Sequence, residues 1–143
     1  MDIKHRIIKM LGDKAGSMTL KETSKPIDSG TYGLPAMETS NVGSGKLLGH
    51  DVMVQSTFTA AMRPDGSWYG ECPAGVIFCA EGVATFKCIG VGNMTAEGGV
   101  AFKGGASFET TSEGLSELNG KFYVFNYDSD PEGNAEWNLY PFK

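Results

Sequence analysis

Charged side chains within stretches that alternate between apolar and polar residues are the groups in this chain best suited to chemistry. Arg63, Glu71 and Glu109 each lie in or beside such a stretch. An ionisable group that points into an apolar interior needs a partner there, so each is a candidate anchor or catalytic group if its strand turns it inward. Glu71 alternates with aromatic and small neighbours and Glu109 follows Phe108, so the sequence leaves open whether these carboxylates face water instead.

Aromatic residues are the second group of candidates, because the chain contains eight Phe, five Tyr and two Trp. At a spacing of two residues they either fill a β-sheet core or line a pocket for an apolar molecule. The candidate ligand-contacting residues are Phe58, Arg63, Trp68, Glu71, Phe102, Phe108, Tyr123 and Tyr127. Arg63 and Glu71 are the candidate polar anchors in this set, and the others are candidate wall residues.

Known catalytic and cofactor motifs do not match this sequence. Residues 43–46 end like a phosphate loop, but Leu47 stands where Ser or Thr would bind magnesium. Residues 128–133 resemble the start of a calcium loop, but Leu139 occupies the position that needs a bidentate Glu. The three Cys, at positions 72, 79 and 88, match no zinc spacing and read as reduced, partly buried residues. These motifs therefore identify no catalytic residue, no metal ligand and no cofactor.

The charge distribution argues against a nucleic-acid partner. The net charge is −5, and residues 47–143 carry five Lys and Arg against twelve Asp and Glu. Binding to phosphates requires a clustered basic surface, which this segment lacks. No apolar run approaches the roughly 18 residues of a membrane helix, and no signal peptide is visible near the N-terminus. We therefore expect a cytoplasmic protein with no membrane partner.

The chain divides into three segments within a single domain. Residues 1–12 form a predicted amphipathic helix with Ile3, Ile7 and Leu11 on one face and Gly12 at its end. So short a helix needs a surface to pack on, either its own domain or a second subunit, and we expect a homo-oligomer. Residues 13–45 predict a wrapping loop segment with at most one or two short strands. Residues 46–143 predict the β-barrel domain.

The β-barrel prediction rests on short alternating stretches separated by turn signals. Residues 63–66 predict a tight turn, Pro73 predicts a bulge or a corner, and residues 112–120 predict one helical turn. The 20 Gly residues include several within strands, where they allow the strong curvature that a small barrel requires. The fold class is thus mainly β, an antiparallel up-and-down meander that closes into a single small barrel, with an open sandwich as the alternative.

Several Gly-rich motifs carry a resemblance to a known family. They include Arg63-Pro64-Asp65-Gly66, Tyr69-Gly70-Glu71, Gly90-Val91-Gly92 and Leu118-Asn119-Gly120. Across residues 46–143 this pattern resembles a family of small prokaryotic proteins of unknown function. At fold level it is similar to the calycin-like and allene oxide cyclase-like barrels, which hold apolar ligands in their mouths. The resemblance implies a barrel fold, and no catalytic motif of those enzymes can be placed on this chain.

Three functions remain open from the sequence. The leading expectation is a barrel that binds a small, largely apolar ligand in its cavity. The first alternative is an isomerase or cyclase that uses a buried Glu71 or Glu109 in the same cavity for proton transfer. The second alternative is a structural or interaction protein whose barrel is filled by side chains and which forms a homo-oligomer.

Overall fold

Eight antiparallel strands form a closed barrel in the computed structural model, which describes residues 10–29 and 32–143. The strands are β1 (Gly16–Ser29), β2 (Pro35–Leu47), β3 (His50–Met62), β4 (Trp68–Cys79), β5 (Gly82–Met94), β6 (Val100–Glu109), β7 (Phe122–Ser129) and β8 (Asn134–Phe142). Each strand pairs with the next along the chain, and β1 closes the barrel by pairing with β8. The predicted up-and-down barrel is confirmed. Most of the predicted N-terminal helix, residues 1–9, lies outside the described residues.

The prediction of a wrapping loop over residues 13–45 was wrong, because this segment contributes two of the longest strands, β1 and β2. In β2 the inward positions include Asn41, Gly43 and Gly45 in place of large apolar residues. The alternation of apolar and polar residues is therefore not visible in the sequence of this strand. The two Gly residues are required by close strand packing. A Cβ at Gly43 would overlap the carbonyl oxygen of Thr19, and one at Gly45 would overlap that of Ser17.

The predicted bulge at Pro73 is present in β4. The pairing of β4 with β5 jumps from Cys72 opposite Cys88 to Gly75 opposite Phe86. Pro73 has no N–H to donate to a ladder, so the strand accommodates one extra residue at this point. The bulge also shifts the alternation, with the result that Cys72 and Gly75 are both buried.

A 3-10 helix closes one end of the barrel. This helix (Glu113–Leu118) connects β6 to β7 where residues 112–120 predicted a helical turn. Leu115 and Leu118 are fully buried in the core, and Gly120 follows with a φ of 73°. We call this the closed end. The opposite end carries the β3–β4, β5–β6 and β7–β8 turns, and we call it the cavity end.

Aromatic and aliphatic side chains fill the closed end. Phe108 contacts Tyr123 with ring centroids 5.4 Å apart, and Phe86 contacts Trp137 at 5.0 Å. Leu47, Ile77 and Leu139 are fully buried around these rings. Within the described residues, no helix is long and apolar enough to span a membrane.

Candidate functional site

A small cavity lies inside the barrel between its middle and the cavity end. The volume open to the centres of water molecules is about 50 Å³. Its apolar wall includes Leu20, Val54, Phe58, Phe86, Phe102 and Trp137. Asn41, Ser56 and Tyr127 supply hydrogen-bonding groups, and two thiols, Cys72 and Cys88, also border the space. An apolar cavity with a few convergent polar groups is the usual form of a small-molecule site.

Three aromatic rings form the side of the cavity nearest the cavity end. The ring centroid of Phe58 lies 5.9 Å from that of Phe102 and 5.8 Å from that of Tyr127, and both pairs meet edge to face. Phe102 and Tyr127 complete the set at 6.4 Å. Such geometry is the favoured one for aromatic pairs. Phe102 and Tyr127 are buried and Phe58 is half-buried, so Phe58 is the ring of this set with most freedom to move.

A chain of hydrogen bonds connects four strands beside the cavity. The Oη of Tyr127 in β7 donates to Oε2 of Glu22 in β1 over 2.5 Å and accepts from Nδ2 of Asn41 in β2 over 2.9 Å. The Oγ of Ser56 in β3 donates to Oδ1 of Asn41 over 2.6 Å. Asn41, Ser56 and Tyr127 are all less than 10% exposed, so each bond also satisfies a group that water reaches poorly. No buried side-chain nitrogen or oxygen in the described residues lacks a partner.

Burial sets the protonation states of Glu22 and Tyr127, the two ionisable side chains in this series of hydrogen bonds. Removal from water raises the pKa of Glu22, while the hydrogen bond from Tyr127 opposes the shift and the charge of Asp130 adds to it. Burial, together with the nearby Glu22 charge, raises the pKa of Tyr127. The phenol therefore keeps its proton and donates it to Glu22, which fixes the direction of the hydrogen bonds along the chain.

Three of the residues predicted from the sequence lie together at the cavity, namely Phe58, Phe102 and Tyr127. The two predicted anchors do not project into it. Glu71 borders the cavity, but its side chain is exposed on the outer face and bonds there with Tyr69. Arg63 belongs to the β3–β4 turn, where its Nε donates to Oγ of Ser67 over 3.0 Å.

The other predicted residues lie elsewhere. Trp68 stands at the start of β4, and its Nε1 contacts Sδ of Met94 at 3.4 Å. Phe108 and Tyr123 belong to the packed closed end. Glu109, the other carboxylate considered for proton transfer, is exposed. Within the described residues, no group of three or more His, Cys, Asp or Glu side chains is positioned to hold a metal ion.

Sequence reasoning missed the polar residues Glu22, Asn41 and Ser56. Glu22 and Asn41 fall in the segment that was predicted as a wrapping loop, so their strand positions were not considered. A signal was present in β1, because Met18 and Leu20 are buried at a spacing of two and the same alternation turns Glu22 inward. Ser56 sits on the inward side of β3 between Val54 and Phe58, where its small polar side chain suggested no role.

The described residues thus define a closed eight-stranded antiparallel β-barrel whose small internal cavity has apolar walls and one hydrogen-bonding side. Its fold is similar to those of three solved proteins. One is a conserved protein of unknown function from Rhodopseudomonas palustris, 13% identical, with a TM-score of 0.77 over 92% of this chain and 97% of that one. A protein of unknown function from Clostridium acetobutylicum is 16% identical, with a TM-score of 0.77 over 92% of this chain and 98% of that one. A β-barrel-like protein from Acinetobacter baumannii is 12% identical, with a TM-score of 0.77 over 93% of this chain and 95% of that one.

These similarities establish the fold over nearly the full length of each chain. They confirm the resemblance to prokaryotic β-barrel proteins of unknown function, and they extend it into residues 13–45. No protein-family model and no curated protein matches the sequence. The link to calycin-like and allene oxide cyclase-like barrels stays a prediction.

Proposed function

We propose that this barrel binds a small, largely apolar molecule that carries one hydrogen-bond donor. The observation that carries the proposal is the juxtaposition of an aromatic wall with a buried chain of polar side chains at one cavity. The exposure of Glu71 and Glu109 weighs against the isomerase or cyclase alternative, which required one of them to be buried. The remaining cavity weighs against a completely filled barrel.

The hydrogen-bonding pattern favours a donor on the ligand. The proton of Tyr127 is committed to Glu22, and that of Ser56 is committed to Asn41. Each hydroxyl oxygen retains a free lone pair, although Tyr127 already accepts from Asn41, whereas neither hydroxyl has a second proton to give. A ligand hydroxyl or N–H therefore finds two hydroxyl acceptors, whereas a ligand carbonyl competes with an existing bond at either hydroxyl and is left with the second Nδ2–H of Asn41 as its amide donor.

The cavity volume limits the size and affinity of the ligand. One water requires roughly 10–15 Å³ of such volume, so about 50 Å³ accommodates on the order of four non-hydrogen atoms. The best small ligands gain at most about 1.5 kcal/mol per non-hydrogen atom, which gives about 6 kcal/mol in total. A dissociation constant no tighter than tens of micromolar follows, unless the half-buried ring of Phe58 moves to admit a larger ligand.

Two molecules of nearly the same size test the donor preference directly. 2-Propanol and acetone have the same number of non-hydrogen atoms, but 2-propanol is a hydrogen-bond donor and acetone is only an acceptor. In titrations followed by amide NMR shifts, we expect saturable changes in β2, β3 and β7, with 2-propanol binding several-fold more tightly. Equal or stronger binding of acetone would contradict the donor assignment.

Filling the cavity provides the control. Cys88→Leu places a larger side chain into the space, and Val91→Leu adds volume on the outer face of the same strand. We expect the first variant to lose the shifts and the second to keep them. If both variants keep them, the molecule binds outside the barrel and the proposed function is wrong.

A further inference from the structure

Cys72 and Cys88 form a pair of thiols on adjacent strands inside the barrel. They are direct Cα partners between β4 and β5, and theirs is the last regular pair before the bulge at Pro73. Both border the cavity, with Cys72 buried and Cys88 half-buried. Both thiols are free. Two facing thiols beside an internal cavity carry a redox chemistry that a single buried Cys does not.

The register brings the two residues within disulfide range. Directly opposite residues of antiparallel strands have Cα atoms about 4.5–5.5 Å apart, and disulfides span Cα distances of about 4.4–6.8 Å. Their Cβ atoms need to approach only slightly from the usual cross-strand spacing. The bulge beside Cys72 interrupts the ladder on one side, which lets β4 make that adjustment locally.

The third thiol lacks such a partner. Cys79 lies at the other end of β4, where it pairs with Val52 of β3 and Gly82 of β5. It is half-buried, as is Cys88. Cys79 therefore serves as an internal reference for a thiol of comparable exposure that has no other thiol opposite it.

We propose that Cys72 and Cys88 are a dithiol site, which a small organic disulfide converts into a cross-strand disulfide. One of the two thiols attacks first through its thiolate sulfur, forms a mixed disulfide and releases one thiolate of the oxidant. The thiolate of the other Cys then attacks the protein sulfur of the mixed disulfide, forms the cross-strand disulfide and releases the second thiolate. In total, two protein thiols and one oxidant disulfide give one protein disulfide and two small thiols. This inference does not depend on the identity of the ligand proposed above.

The environment predicts how the reaction responds to pH. Burial raises the pKa of both thiols, most strongly that of Cys88, and a backbone hydrogen bond from Ala74 partly opposes the shift at Cys72. The groups facing the pair from neighbouring strands are neutral Ser56 and Tyr127, with Glu22 beyond Tyr127. Because only the thiolate attacks, the initial rate should rise about tenfold for each pH unit between about 7 and 9.

The test uses the full chain in buffers of 2-hydroxyethyl disulfide and 2-mercaptoethanol at about pH 8.5. After acid quenching and alkylation, peptide mapping by mass spectrometry should show a linked Cys72–Cys88 peptide, with Cys79 alkylated. The Cys79→Ser variant should react identically. Cys88→Ser and Cys72→Ser should form no internal disulfide, and each variant should stop at the mixed disulfide on the remaining thiol of the pair.

Three outcomes would overturn the inference. They are the absence of the linked peptide after equilibration with excess oxidant, a link that involves Cys79, and a link that forms only when urea unfolds the chain. Far-UV and near-UV circular dichroism of each variant checks that the fold is retained. Since the readout is a covalent bond, it is independent of whether 2-propanol binds the cavity.

Discussion

Replacing Tyr127 by Phe tests the energetic importance of the polar chain. The substitution keeps the ring that packs against Phe58 and Phe102 and removes the hydroxyl that joins Glu22 to Asn41. A neutral hydrogen bond contributes about 0.5–1.5 kcal/mol and one to a charged group about 1.5–3 kcal/mol. Glu22 is only half-buried and regains some hydration, so we expect the free energy of unfolding to fall by about 2–3 kcal/mol at pH 7.

The stability that Tyr127→Phe loses should depend on pH, because the pKa of Glu22 differs between the folded and unfolded chains. Its pKa is raised from 4.5 by burial, so the native state holds this proton more tightly. The resulting stabilisation is complete below about pH 4.5 and is lost as the pH rises through the native pKa. The hydrogen bond from Tyr127 opposes this shift, and its removal raises the native pKa further. The variant therefore loses more stability than the native chain between about pH 4.5 and pH 7.

Equilibrium unfolding in urea at about pH 4.5 and at about pH 7 measures the destabilisation by Tyr127→Phe and its dependence on pH. The Tyr123→Phe variant is the control, because Tyr123 is also buried but its hydroxyl does not bond to Glu22 or Asn41. A carbon-13 NMR titration of the Glu22 carboxyl reports its pKa directly. A destabilisation below about 0.5 kcal/mol, or a larger loss at pH 4.5 than at pH 7, would refute this account of the network.

Two further substitutions test how the barrel is built. Leu118→Ala removes a fully buried side chain from the 3-10 helix and should cost about 2–5 kcal/mol in urea unfolding, whereas Glu117→Ala on its exposed side should change stability by less than about 0.5 kcal/mol. Equal effects would mean that the helix does not seal the closed end. Gly43→Ala should cost at least about 2 kcal/mol because its Cβ overlaps the backbone at Thr19, while Ser44→Ala on the outer face should be nearly neutral. A stable Gly43→Ala protein would show that β1 and β2 are not packed as closely as described.

The sequence predicted the part of the barrel whose inward positions are large and apolar. Phe102 and Phe108 in β6 and Tyr127 in β7 alternate visibly with polar neighbours. The same alternation exists in β2, but there the inward residues include Gly43 and Asn41. Period-two reasoning fails when the inward residues are as small or polar as the outward ones, because hydrophobicity is its only signal.

The candidate site was only half predictable for a related reason. Alternation within a strand says which residues share a face, but it does not say which face is inside when both carry apolar groups. In β4, exposed Tyr69 and Phe78 make the outer face as apolar as the inner one, so Glu71 could not be assigned to the outside from sequence. The partner of Tyr127 was also hidden, because Glu22 lies 105 positions away in the chain.

The glycines of the strands explain why a cavity remains beside such large rings. A Cβ at Gly92 would come within 2.7 Å of the ring of Phe102, and one at Gly70 within 3.2 Å. Phe102 therefore lies flat against strand backbone that carries no side chain, instead of crossing the centre of the barrel. Gly75 accommodates the ring of Phe86 in the same way, on the closed-end side of the cavity. Because each ring is held against the wall by a Gly that no larger residue can replace without overlap, the space between the rings is fixed by the backbone, and a ligand entering it meets walls that are already ordered.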